Sequence, residues 1–133
     1  MARWLVKEEP DHYSLDDLER DRQTVWEGVR NPLARRHLRA MRRGDPVVYY
    51  HTGTVRACVG EARVVAEAPE SSPDPDVTLG FVRRWPRPVP LSVIRADPRF
   101  AGFDLVRIGR LSVVPVSDPH WAALVDLAGL SGG

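Results

Sequence analysis

The chain reads as a strand-dominated α+β domain, a small curled sheet or barrel with helices at its ends. Three observations predict this. Five or six short β-rich runs recur between turn signals. Three or four short helical segments carry clear start signals. Helices do not alternate with strands as βαβ units require.

The elements follow in order. Arg3–Lys7 is a strand rich in bulky residues, and Pro10 ends it because proline disfavours helix at Glu9. Ser14 with Asp17 three residues on marks a helix start, and the helix should run to Arg20. Thr24–Trp26 is a brief extended piece. Asn31-Pro32 is a second start, a capping residue followed by proline at the first helical position. That helix is expected to run to Arg43 and stop at Gly44. At 100° per residue it turns Ala34, His37, Leu38 and Met41 to one side, with Leu33 at the border. Arg35, Arg36, Arg39, Arg42 and Arg43 fall on the other, within an arc of about 120°.

Asp45–His51 and Ala57–Ala68 read as strands, the second with a break near Gly60. Glu70–Asp76 is a Ser/Pro/Asp-rich loop. Val77–Arg83 is a further strand and Leu91–Ala96 a short helix. Leu105–Ile108 leads to a turn at Gly109, then Leu111–Val116 extends again. Asp118-Pro119 repeats the cap-plus-proline signature and opens a last helix through Leu127. Ser131-Gly132-Gly133 reads as a frayed tail.

The length of 133 residues predicts one domain, residues 1–130, large enough for a hydrophobic core without staples. A single cysteine, Cys58, excludes an internal disulfide and a cysteine-rich metal site, and fits a reducing cytoplasm. The start Met-Ala-Arg-Trp lacks the apolar run of a signal peptide, and no run is long enough to span a membrane. Four scattered histidines make no metal site. We therefore expect a cytoplasmic monomer without cofactor or membrane attachment.

Charge is uneven. Residues 1–29 carry eight acids and four bases, whereas residues 30–43 carry six arginines and no acid. Of 19 basic side chains only Lys7 is lysine, a pattern that codon bias also produces. The arginine face has no acidic partner within its helix, so it either meets solvent or holds phosphates through Arg35, Arg36 and Arg39. Phosphate contacts would make binding steeply salt-dependent.

The run Thr24-Val-Trp-Glu-Gly-Val-Arg-Asn31 holds the groups a flat, polar, anionic ligand needs. Trp26 offers a stacking face, or else fills core space. Arg30 offers a planar fork of donors. Glu27 can accept from an exocyclic amine. Gly28 lets backbone approach closely. Asn31 serves equally well as a helix cap. Lys7, Glu8 and Glu9 sit at a strand end, either pairing with one another or receiving a base amine. Alternation puts Tyr49 and His51 on one face of their strand and Tyr50 on the other. His51 could act as acid or base. Arg110 and Ser112 share a face beside Gly109 and are site or edge residues. His37 and His120 read as packing or capping groups.

Several blocks together resemble the EVE domain family. They are Trp4-Leu-Val-Lys-Glu-Glu-Pro10, Tyr13-Ser14 with Asp17-Leu18, Thr24–Asn31, Ala34-Arg35, Leu38-Arg39, Met41, Gly44-Asp45, Tyr50-His51 and Val106–Val113. The resemblance runs from residue 3 to about residue 125. It implies a PUA-like pseudo-barrel of five to six mostly antiparallel strands. It also implies a non-catalytic module that recognises a modified base, notably modified cytosine in DNA, or else binds RNA. By that resemblance Val29, Tyr50 and His51 join Lys7, Glu8, Glu9, Trp26, Gly28, Arg30, Asn31, Arg110 and Ser112 as ligand-binding candidates. The chain departs from the family at three places. A small hydroxyl is replaced by Glu8, a shorter acid by Glu27, and the Pro69–Asp76 stretch is shortened, which predicts a more open pocket. An enzyme acting on a nucleotide or small metabolite, with His51 and Glu8 or Glu9 as acid and base, is the alternative.

Overall fold

The computed structural model describes residues Met1–Leu130, so the expected frayed tail lies outside the described residues. Six strands form one curled mixed sheet, ordered β2-β5-β4-β3-β1-β6. They are β1 (Trp4–Glu8), β2 (Gln23–Trp26), β3 (Pro46–His51), β4 (Ala57–Ala66), β5 (Val77–Pro90) and β6 (Val113–Pro115). Short helices cap the half-barrel: α1 (Pro10–Tyr13), α2 (Leu15–Asp21), α3 (Pro32–Ala40), α4 (Leu91–Ala96), α5 (Asp104–Arg107) and α6 (Asp118–Leu127). This is the α+β, PUA-like pseudo-barrel expected from the sequence. The pairings are antiparallel except β1 with β3, which run parallel with Lys7 opposite Tyr50 and Glu8 opposite His51.

The local signals act as expected at several starts. Ser14 and Asp17 form a reciprocal capping box at α2. The Asn31 side chain accepts from the amides of Leu33 and Ala34 at 2.9 and 3.0 Å. Ala34 and Leu38 of α3 are buried, as is Met41 just beyond it.

Several boundaries differ from expectation. Pro10 does more than end β1, because it opens α1 from the first helical position. Helix α3 ends at Ala40 rather than Arg43. Met41 turns extended to sink its side chain into the core, and the Arg42 amide donates to Asp45 Oδ2 at 2.9 Å. Strand β5 continues to Pro90 rather than stopping at Arg83. Its register with β4 resumes at Cys58–Val89 beyond an irregularity, and Pro86 and Pro88 fall where no ladder N–H is needed. The cap of α6 is Ser117, one residue earlier than expected, with its hydroxyl accepting from the His120 amide at 3.3 Å. Strand β6 is shorter than expected, pairing only Val113–Pro115 with β1 at the sheet edge.

One contiguous cluster of buried apolar side chains runs from Trp4 and Tyr49 through Leu79 and Phe103 to Leu124. Within it Asp45 is buried and accepts from the Trp4 indole at 3.0 Å as well as from Arg42. His37 packs its ring 5.7 Å from Trp4, and His120 lies 4.8 Å from the Phe103 ring. Both match the packing role read from the sequence. No helix among the described residues is long and apolar enough to cross a membrane.

Candidate nucleic-acid interface

Strand β2 delivers Trp26 to the end of the sheet, where its ring meets Tyr49 edge-on at 5.7 Å and 80°. Only 7% of Trp26 is exposed, so most of the indole is core and the remainder walls a small cavity. That cavity has a volume of about 230 Å3. Glu8, at the end of β1, enters it from one side. Tyr13 and His12 of α1 close it from another, and Thr24, Val25 and Glu27 complete the wall.

The groups inside are positioned by a short polar chain. Glu8 Oε1 accepts from the Glu9 amide at 2.9 Å, and Oε2 lies 3.0 Å from His12 Nδ1. His12 is exposed, so this side of the carboxylate is the one a ligand can reach. The Tyr13 hydroxyl donates to Asp21 at 2.9 Å. Burial, then the Asp21 carboxylate, raises its pKa, so it stays a neutral phenol. Tyr49 donates to the Tyr13 carbonyl at 2.5 Å, which ties α1 to β3.

Beyond Trp26 the chain opens outward. Glu27, Gly28 and Arg30 are exposed, and Gly28 takes φ +78° with open space where a side chain would stand. Val29 packs partly against the core, while Asn31 is committed to capping α3. An exposed backbone arch thus sits between the cavity and α3.

The sequence-expected site residues therefore separate into groups. Glu8, Trp26 and Glu27 share the cavity, and Gly28–Arg30 follow in the chain without lining it. Glu9 is exposed and serves as the start of α1. Lys7 leaves the opposite face of β1, where its ammonium donates to the Gly109 carbonyl at 2.8 Å and lies 5.9 Å from the Tyr50 ring centroid. Tyr50 accordingly faces Lys7, and the tyrosine beside Trp26 is Tyr49. Alternation along β3 is the reason, and it had already placed the two rings on opposite faces. Arg110 is exposed and Ser112 half-buried, both before β6 begins rather than alternating along it. The Ser112 carbonyl accepts from the Lys7 amide at 2.9 Å.

His51 lies behind this cavity. Its Nε2 accepts from the Leu15 amide at 3.1 Å and its ring stands edge-on to Tyr49 at 5.6 Å. Burial lowers its pKa, countered in part by Asp16 and Glu8. The Leu15 amide thus commits this ring nitrogen to holding α2 against β3.

The arginine face is also redistributed. Arg35 donates to the carbonyls of Val29 at 3.0 Å and Pro73 at 2.9 Å, and reaches Asp74 at 3.3 Å. Arg39 donates to the carbonyls of Ser72 at 2.6 Å and Pro69 at 3.3 Å. Two of the three expected phosphate ligands thus clamp the Pro69–Asp76 loop, because that loop offers carbonyls the sequence could not assign. Arg36 is exposed. The sequence reading missed Tyr13, Thr24 and His12 as lining groups. Tyr13 stood in the family-like blocks, but only the α1 turn after Pro10 brings it to Glu8. Among the described residues no cluster of potential ligands could hold a metal ion.

Residues 2–127 match the EVE domain family. A Rhodopseudomonas palustris protein solved by NMR is 34% identical and superposes with a TM-score of 0.91, covering 100% of this chain and 97% of its own. Human thymocyte nuclear protein 1, crystallised in complex with DNA containing 5-methylcytosine, is 25% identical with a TM-score of 0.87, covering 96% of this chain and 98% of that one. Thymocyte nuclear protein 1 of Gallus gallus is 32% identical over 125 residues, 71% of this chain and 52% of that protein. The chain spans about half the length of the curated relatives it matches. The chain belongs to the EVE domain family.

Proposed function

We propose that this chain is a non-catalytic DNA-binding module that reads one modified base, turned out of the strand into the Glu8–Trp26 cavity. The observation that carries the reading is that one small cavity joins a carboxylate, an indole and a neutral phenol. Its 230 Å3 is below the roughly 300–1,000 Å3 of pockets for drug-sized ligands, and suits a single heterocycle. The Glu8 carboxylate accepts from an exocyclic amine, as on cytosine. The open arch at Gly28 lets the strand backbone pass close, and exposed Arg30 and Arg36 meet its phosphates. The relative seen on 5-methylcytosine DNA supports the choice of modified cytosine. Extruding a base costs a few kcal/mol in a duplex, so single strands should bind more readily.

The test is an anisotropy titration in low salt with oligonucleotides carrying cytosine, 5-methylcytosine or bulkier modified cytosines, as single strands, duplexes and RNA. A preference for one modified DNA base is expected. Glu8→Gln keeps the shape but replaces an acceptor with an amide, and should remove about 1–3 kcal/mol of that discrimination. Equal affinity for every base, or a preference untouched by Glu8→Gln in a protein that melts normally, refutes the reading. Preference for RNA of the same sequence would reassign the partner.

A further inference from the structure

Lys7 and Glu8 are consecutive on β1, so they leave opposite faces of the sheet. Glu8 enters the Trp26 cavity. Lys7 enters a second one, of about 210 Å3, which Arg56, Arg95, Tyr50, Thr52 and Gly53 also line. No acidic residue lines this second cavity. Among the described residues none of its three cations is ion-paired.

Three like charges around one small cavity repel one another unless an anion joins them. Lys7 has the strongest need. Its Gly109 bond satisfies one of three ammonium protons, and burial lowers its pKa with no carboxylate to offset the loss of water. Cys58 does not supply a negative charge, because its own burial pushes the thiol pKa up. Arg56 takes φ +48°, a left-handed conformation unusual for a side chain of its size, and the Leu91 amide holds it there by donating to its carbonyl at 2.8 Å. Residues forced into such conformations cluster at ligand clamps. Gly53, at φ +72°, leaves open space beside its backbone.

We propose that this cavity holds one phosphate of the bound strand, the phosphate next to the base in the Glu8–Trp26 cavity. The inference rests on the reading above. The end of β1 separates the two cavities, and the Thr52 amide, donating to the Glu8 carbonyl at 3.0 Å, continues the pairing of β1 with β3 there. A nucleotide straddling that strand end sends its base to one side and its phosphate to the other. Lys7 and the two guanidiniums neutralise the phosphate, and the Tyr50 and Thr52 hydroxyls add donors.

Two measurements test this. The first titrates the protein with inorganic phosphate, against chloride at matched ionic strength, and follows the Gly53 and Gly109 amides by NMR. Saturable shifts in phosphate alone are expected, and lost in the double variant Arg56→Gln/Arg95→Gln. No such shifts overturn the phosphate site whether or not the protein reads bases. The second compares that variant with wild type on modified and plain oligonucleotides across salt. Affinity should fall on the order of tenfold for both, and the salt slope should become shallower by about one unit, with the preference between bases retained. Phosphate shifts with an unchanged salt slope would make this a site for free phosphate and overturn the strand assignment. A wild type that binds phosphate but shows no base preference would refute the reader and leave this site standing on its own ligand.

Discussion

The backbone amide of Leu15 donates to His51 Nε2 across 3.1 Å, joining the first turn of α2 to the end of β3. The bond requires an unprotonated Nε2, and burial keeps the ring neutral in the fold. Unfolded, the same ring takes a proton near its ordinary value of 6.5. The unfolded chain therefore binds more protons below that value, and stability should rise with pH. The stabilisation is complete above about pH 6.5 and is lost as pH falls toward the depressed folded value. Urea midpoints at pH 5.5 and 7.5 should differ clearly in wild type and less in His51→Gln, whose amide oxygen can still accept from Leu15. His37, also shifted down by burial, supplies part of the remaining slope.

Asp45 accepts from both the Trp4 indole and the Arg42 amide while buried. Asp45→Ala strands two donors, each costing about 1–3 kcal/mol. A loss of about 2–5 kcal/mol is expected by denaturant unfolding. Asp45→Asn, which keeps one carbonyl oxygen, should lose less.

Gly60 lies where β4 crosses α2. A β-carbon there would meet Leu15 Cδ2 at 2.5 Å and the Arg83 carbonyl at 2.7 Å. The second of these is backbone and cannot swing aside. Gly60→Ala should destabilise by about 1–3 kcal/mol or more, as overpacking does. Gly28→Ala meets no atom within 4 Å, so only its positive φ opposes the change. Paired melts should show Gly60→Ala as the more damaging substitution.

Arg39 and Arg36 stand one turn apart in fate although they are neighbours in the arginine face. Arg39→Gln removes two loop carbonyl contacts and should speed amide exchange around Ser72–Asp74. Arg36→Gln should leave exchange there unchanged and lower the salt slope of DNA binding by about one unit. The reverse pattern would show that the arginine face, not the loop, is what Arg39 serves.

Much of this protein was legible locally. The capping box at Ser14, the Asn31-Pro32 start and the two faces of α3 depend on residues within a turn or two of each other, so composition and spacing are enough to read them. The same holds for the opposed faces of Tyr49, Tyr50 and His51, which a strand's period of two settles. Errors at the ends of α3 and β5 share one cause. Met41 leaves the helix for the core, and β5 extends because β4 resumes pairing with it, and both are decisions made by partners distant in sequence.

The candidate site divides along the same line. The sequence by itself determined the inventory: an indole, a carboxylate and a glycine within one short run that leads into an arginine-rich helix. It also placed Lys7 and Glu8 side by side. Only the tertiary structure decided that those two neighbours serve different cavities, that Tyr13 rather than Tyr50 meets Glu8, and that Arg35 and Arg39 hold a loop. It alone brings Arg56 and Arg95 to Lys7. The physical reason is range. Caps and periodicity act through bonds a few residues long, whereas a cavity is enclosed by strand register and helix packing between segments that composition treats as unrelated.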